Sequence, residues 1–190
     1  GFGDFISTMW GYGKGNKIDV DDYVGFPHSL GLLYFAITQY LGFCNYGDEY
    51  KVMGMAAYGK PTKVKEVSQL IEVVKNGKFE LITDYFLHHS EGFNMEFQNG
   101  SPELGIAFSE KLVELLGPAR TPSEDIKQIH KDIACSLQIV YEKILFHILS
   151  HLNSIYPGID KLCLSGGCAQ NSLANGKITS NTDFKDVWIQ

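Results

Sequence analysis

The chain has 190 residues, 44% hydrophobic and 13% aromatic: the length of one domain or much of one, with enough apolar side chain to build a core, which excludes global disorder. Its 16 basic and 22 acidic residues leave a formal charge of −6, and no basic cluster exceeds the scattered lysines of residues 60–78, so nucleic acid is not an expected partner. No uninterrupted apolar run approaches about 18 residues and the first residues do not read as a signal peptide, so no membrane span is expected either.

Residues 2–10 and about 17–24 are β-like runs joined by Gly11–Asn16, whose glycines suit a hairpin turn. Pro27-His28-Ser29 then opens a helix with Ser29 as N-cap, in which Leu30, Leu33, Ile37 and Leu41 repeat at helical spacing up to Gly42. Asp48 starts a second helix that closes at Gly59-Lys60-Pro61, and its small residues Gly54, Ala56 and Ala57 invite the close approach of another backbone. Val64, Val67, Leu70, Ile71 and Val74 form one stripe opposite lysines, which predicts an amphipathic helix stopped by Asn76-Gly77. Lys78–Ile82 reads as a short strand. Thr83–Pro102 shows neither helical nor strand period and reads as a long irregular excursion.

Residues 104–116 return to helix, Gly117-Pro118 breaks it, and Thr121-Pro122-Ser123 caps a long helix from about Ser123 to Asn153. Ile126, Ile129, Ile133, Leu137, Val140, Ile144, Ile148 and Leu152 keep to one stripe of it, over about 45 Å at 1.5 Å per residue. Residues 161–165, the pair Gly166-Gly167, a small-residue helix from Ala169 to Ile178 and a strand from Asp186 read as a βαβ unit of an α/β sheet. The chain divides into a hairpin (1–24), a helical segment (28–60), a variable excursion (61–120) and the long helix with the βαβ unit (121–190), all within one partial domain. It opens at Gly1-Phe2-Gly3 without an initiator Met and stops at Gln190 without a polar tail, so it reads as an excised piece.

The glycine pair is the strongest chemical signal. A strand that runs through Gly166 and Gly167 into a helix start can offer uncrowded backbone N–H groups to a phosphate, and Asn171 can add an amide hydrogen bond. The alternative is a tight turn made for packing. Cys168 sits near the same helix start, where a thiolate nucleophile or a small buried thiol are both open. Cys44, Cys135, Cys163 and Cys168 do not form a disulfide framework, and a reducing cytoplasm is the expected location. His147 and His151 have i, i+4 metal-ligand spacing but lack the acidic partner of an H-E-x-x-H motif, so a packed or surface pair competes with a ligand pair. His88-His89 read as loop residues. Asp21-Asp22 read as an exposed strand end and Asp48 as a helix cap. Lys51 could face an anion or extend to solvent.

Three segments, Pro27 to Tyr34 (PHSLGLLY), Gly47 to Gly59 (GDEYKVMGMAAYG) and Leu162 to Ile178 (LCLSGGCAQNSLANGKI), resemble in order and spacing the O-carbamoyltransferases of the nodulation protein U and antibiotic-biosynthesis type. Gly117–Arg120 and Ile133–Gln138 add weaker matches. The resemblance implies an α/β chain with the actin-like ATPase, ribonuclease-H-like fold, similar to the threonylcarbamoyl transferases of tRNA modification, here incomplete: the middle and later part of an N-terminal domain. It implies a C-terminal domain of the same polypeptide that makes carbamoyl-adenylate from carbamoyl phosphate and ATP, and transfer of the carbamoyl group to a hydroxyl of a small molecule or saccharide. The family's iron-type divalent metal is held by an upstream H-x-x-x-H pair, an Asp of a D-G-x-G motif and a later Asp; Gly1-Phe2-Gly3 resembles the tail of that D-G-x-G, so every ligand falls outside this chain and the chain alone is expected to be inactive. Gly166, Gly167 and Asn171 carry over as the nucleotide or carbamoyl-adenylate contact. His28, Ser29 and Lys51 match signature positions, with His28 and Lys51 as catalytic candidates that have no assigned step. A phosphotransferase of the same superfamily, a non-catalytic interaction fragment that could self-associate as a homodimer, and a Cys168 acyltransferase are the competing classes.

Overall fold

The computed structural model describes residues 5–92, 95–98 and 101–190 of the chain, so the Gly1-Phe2-Gly3 segment and the start of the first predicted strand lie outside the described residues. Strands β1 (Ile6–Lys14) and β2 (Lys17–Gly25) form an antiparallel hairpin. β1 continues through Gly11 and Gly13, so the connection is only the two-residue loop Gly15-Asn16, with Gly15 at φ +62°, the sign that the first central position of a II′ turn requires. The register slips between Trp10 and Gly11, and there a Cβ on Gly11 would lie 2.0 Å from the Asp19 carbonyl oxygen. One face of the hairpin turns inward with Trp10, while Ile18 and Val20 remain exposed.

Helix α1 (Leu30–Tyr40) begins as its sequence suggests: the Ser29 hydroxyl accepts from the Leu32 N–H at 3.3 Å, a cap that contributes about 1 kcal/mol. Beyond its apolar stripe, Tyr34, Thr38 and Gln39 are buried too, so α1 is covered on nearly every side. Its C-terminal end is closed by Arg120, which is buried with no carboxylate partner among the described residues. The guanidinium donates from Nε to the Leu41 carbonyl at 2.7 Å and lies 5.0 Å from the Phe43 ring centroid. That pattern satisfies the carbonyls a helix end leaves open.

Helix α2 (Glu49–Ala56) follows. Asp48 occupies its cap position but makes no side-chain cap bond; it receives the Asn45 N–H at 3.3 Å and pairs with Lys51 instead. Of the small residues expected to allow close approach, Gly54 and Ala57 face solvent. The close approach belongs to Gly59, where a Cβ would lie 1.9 Å from the Lys131 carbonyl oxygen.

The amphipathic helix expected after Pro61 is not formed. Helix α3 is one turn (Val64–Val67), a 3-10 turn covers Ser68–Leu70, and β3 (Ile71–Val73) pairs antiparallel with β4 (Phe79–Leu81). The β-branched Ile71 and Val73 favour the pleat. Asn76 and Gly77 both take positive φ, +62° and +72°, which makes them a hairpin turn rather than a helix stop. The excursion also holds more order than expected: β5 (Met95–Gln98) and β6 (Ser101–Leu104) form a further hairpin. The helix expected over 104–116 is shorter, α4 at Glu110–Leu116.

Helix α5 (Gln128–Ile155) has 28 residues, about 42 Å. It starts later than expected because Thr121–Glu124 closes its own turn, with the Thr121 N–H on the Glu124 carboxylate at 2.7 Å. Ile126 therefore precedes the helix and, like Ile129, stays exposed, whereas Ile133, Leu137, Val140, Ile144, Ile148 and Leu152 are buried. By length and composition alone α5, unlike any run counted in the sequence, is apolar enough to cross a membrane; in this fold most of that segment is buried in the core, against α1, α2 and α3. At its far end His151 packs edge-on to Trp10 and Tyr156 meets Tyr12, which fixes the first hairpin to it.

The chain closes with β7 (Lys161–Leu164) and β8 (Asp186–Ile189), parallel and in register from Lys161 opposite Asp186. The single helix expected between them is divided into a 3-10 turn (Gly167–Gln170), α6 (Ser172–Asn175) and α7 (Ile178–Asn181). The architecture is mixed α/β, with four two-stranded sheets among the described residues.

Candidate functional site

The crossover from β7 carries the site. Leu162 anchors the strand in the core, and the chain then emerges so that Ser165, Gly166 and Gly167 are exposed. Gly166 has φ +95°, a conformation that side chains rarely adopt, and an added Cβ at either glycine would meet nothing within 4 Å. The turn is thus an open backbone surface at the end of a parallel strand, the position at which α/β sheets bind ligands.

Below this surface the turn is held firmly. The Ala169 N–H donates to the Gly166 carbonyl at 3.0 Å, the Tyr141 hydroxyl donates to the Cys168 carbonyl at 2.7 Å, and Asn175 Nδ2 donates to the Ala169 carbonyl at 2.7 Å. Asn171 is buried and caps α6, its Oδ1 accepting the Ala174 N–H at 3.0 Å. The same amide forms a reciprocal pair with Gln138 of α5, two bonds of 3.0 Å each. Gln138 also donates to Glu142 at 3.0 Å and accepts from the Tyr34 hydroxyl at 3.1 Å. Glu142 in turn receives Lys177 Nζ on both oxygens at 2.7 Å. Burial, with Glu142 nearby, pushes the Tyr34 hydroxyl up, and burial does the same to Tyr141, so both stay protonated donors.

The other candidates lie elsewhere or are engaged. Lys51 Nζ is 2.7 Å from Asp48, which raises its pKa, and sits 5.7 Å from the Phe43 ring centroid. Its helix does reach the turn's neighbourhood, since the Ser172 hydroxyl lies 3.8 Å from the Met53 sulfur. His28 belongs to the hairpin side: its Nδ1 accepts the Leu81 N–H at 3.0 Å, and it lines a shallow cavity of about 260 Å³ with Asp22, Lys78 and Glu80. No residue of the glycine turn lines that cavity. Asp22 and Lys78 pair there at 2.8 Å, which holds the Asp22 carboxyl below its usual range.

No group of three or more His, Cys, Asp or Glu suited to a metal ion occurs among the described residues. His147 bonds the Val74 carbonyl at 2.8 Å and His151 packs on Trp10, so the i, i+4 pair is used in packing. All four cysteines are free thiols. The network of Tyr34, Gln138, Tyr141, Glu142 and Lys177 joins residues far apart in the sequence; its one local signal is Gln138 and Glu142, a polar i, i+4 pair buried beside the apolar stripe of α5.

A long helix supporting a strand, an exposed glycine turn, short helices and a parallel strand defines a mixed α/β protein. The family model for the carbamoyltransferase N-terminus matches residues 1–190, and the chain belongs to that family. It is 37% identical over its whole length to an uncharacterized protein of Synechocystis sp., covering 29% of that protein. It is 34% identical over its whole length to nodulation protein NolO of Bradyrhizobium diazoefficiens and to nodulation protein NolNO of Sinorhizobium fredii, covering 30% and 24% of them. The chain therefore spans under a third of the length of these relatives.

Proposed function

We propose that the polypeptide containing this chain transfers a carbamoyl group from carbamoyl-adenylate to a substrate hydroxyl, and that Gly166 and Gly167 form its nucleotide contact. The observation that carries the reading is the exposed, uncrowded glycine turn at the end of β7 in a member of the carbamoyltransferase N-terminus family. In this reading the fold is completed to an actin-like domain by other parts of the polypeptide. A C-terminal domain supplies carbamoyl-adenylate from carbamoyl phosphate and ATP, and the iron-type metal is held by residues outside this chain. The bound metal would supply charge stabilisation. The turn's backbone N–H groups would hold the adenylate phosphate and keep the carbamoyl carbon in place. The acceptor oxygen bonds to that carbon, the bond to the phosphate oxygen breaks, and AMP leaves with its electron pair while the hydroxyl proton passes to a base. His28 and Lys51 stay catalytic candidates with no assigned step.

The test is Gly167→Val in the full-length protein. The turn has room for the side chain within the protein, so the fold is expected to survive, while the phosphate space is filled. Calorimetry with ATP, fitted to two sites because the C-terminal domain binds ATP as well, should show one site weakened by about tenfold or more and the other unchanged, and mass spectrometry of the acceptor should show its carbamoylated form decline in parallel. Unchanged nucleotide affinity would remove the turn from the site.

A further inference from the structure

The glycine turn is exposed, yet its shape is determined from beneath by α5. Gln138 uses its full hydrogen-bonding capacity: both Nε2 hydrogens are given, to Asn171 Oδ1 and Glu142 Oε1, and its Oε1 accepts from Asn171 Nδ2 and the Tyr34 hydroxyl. Asn171 likewise spends its oxygen on Gln138 and on the Ala174 N–H, and its Nδ2 reaches Gln138. Asn171 closes the 3-10 turn that Gly167 opens and caps α6, so its side-chain bonds anchor the C-terminal end of that turn to Gln138 and to Ala174. Three residues further along α5 from Gln138, Tyr141 donates to the Cys168 carbonyl.

We propose that Gln138, Asn171 and Tyr141 are positioning residues that set the conformation of the Gly166–Gly167 turn for its ligand, and that Asn171 acts through this pairing rather than by touching the nucleotide. The inference rests on the reading of the turn as the nucleotide contact. A packed apolar pair would hold α5 to α6 equally well and cost less desolvation, but it would not fix the turn's orientation. A buried amide pair does, because each partner leaves the other unsatisfied when it departs from one geometry.

The experiment uses the full-length protein, ATP as probe, and the variants Gln138→Leu, Gln138→Glu and Gly167→Val. For Gln138→Leu, calorimetry fitted to two sites should give ATP binding about tenfold weaker at the site that Gly167→Val weakens, with the other site unchanged. Hydrogen exchange should quicken at the amides of Ala169, Asn171 and Ala174 while the α5 amides keep their protection. Gln138→Glu guards against a folding failure and adds a readout that simple packing would not move. The charged and titratable groups around position 138 are Tyr34, with Glu49 beyond it, from α1 and α2, Cys135, Tyr141 and Glu142 on α5, and Cys168 and Lys177 from the crossover. A carboxyl placed beside Glu142 is favoured in its protonated form, which can still donate one of the lost bonds; once ionised it presents only acceptors to Glu142 and to Asn171 Oδ1. Relative to wild type at each pH, Gln138→Glu should bind ATP nearly normally at about pH 5.5 and progressively worse towards pH 8.

If both Gln138 variants bind ATP like wild type at pH 8 while Gly167→Val does not, the positioning role is overturned and the turn remains the site. If Gly167→Val binds ATP like wild type, the site reading fails, and the positioning role falls with it.

Discussion

Gly54 and Gly59 lie on the same short segment, yet a methyl group has opposite consequences at the two. At Gly59 it would lie 1.9 Å from the Lys131 carbonyl oxygen and 2.8 Å from Cys135 Cβ, both on α5. Backbone must move to admit it, so Gly59→Ala in the full-length protein is expected to destabilise by about 1–3 kcal/mol. At Gly54 it would meet nothing within 4 Å and sits on an exposed turn of α2, so Gly54→Ala should be neutral or stabilise by up to about 1 kcal/mol through helix propensity. Urea midpoints of the two variants check the pair; equal midpoints would show that α2 and α5 are not in the close contact described. In the sequence both glycines belong to a run of small residues. Only the packing of Gly59 against α5 separates them, and that contact joins positions about seventy residues apart.

Among the elements, those whose signals are local are legible in the sequence. Ser29 marks the start of α1, the hairpin glycine Gly15 lies between β1 and β2, and the strand, glycine pair, helix and strand order of residues 161–189 holds in the fold. Residues 64–77 are different. Their apolar spacing fits a helix through Val74, and only the Asn76-Gly77 pair, a hairpin signal also consistent with a helix stop, points to the turn that is formed. The helix is then interrupted by Ile71, which is buried in β3 while Glu72 faces out, and Phe79 and Leu81 alternate inward on β4. The hairpin is pinned by Gly77: its φ is +72°, and a Cβ there would lie 2.8 Å from the His151 ring. Gly77→Val should therefore cost about 2 kcal/mol or more, from strain and from displacing His151, whereas Asn76→Gly should change stability by less than about 0.5 kcal/mol. Chemical denaturation of both variants checks this, and equal stability would rule out the turn. The candidate site follows the same division: the glycine pair is visible as a local motif, while the pairing of Gln138 with Asn171 joins residues 33 apart that only the fold brings together.

At the scale of the whole molecule, α5 is what most other parts lean on. It contacts α1, α2, α3 and α6, holds the first hairpin through Trp10 and Tyr12, and supports the glycine turn through Gln138 and Tyr141. Its apolar stripe serves the core, while Gln138 and Tyr141 reach the candidate turn from the same helix.

The burial of α1 has a consequence in time. Its Gln39 is met by Gly105 and Ala107, its end by Arg120, and its Tyr34 by Gln138, 104 residues later. On the ribosome the most apolar helix of the chain is made early and its cover arrives late. At roughly 5–20 residues per second, that leaves it uncovered for roughly 5–20 s. Ribosome-bound chains that expose residues up to 120 should be cut by protease within 30–40, and chains that also expose α5 should resist; equal cleavage of both would mean that α1 finds shelter sooner. Through that interval the nascent chain presents an apolar eleven-residue segment to whatever can bind it, so synthesis rate and chaperone supply join final stability in setting how much of the protein reaches its folded form.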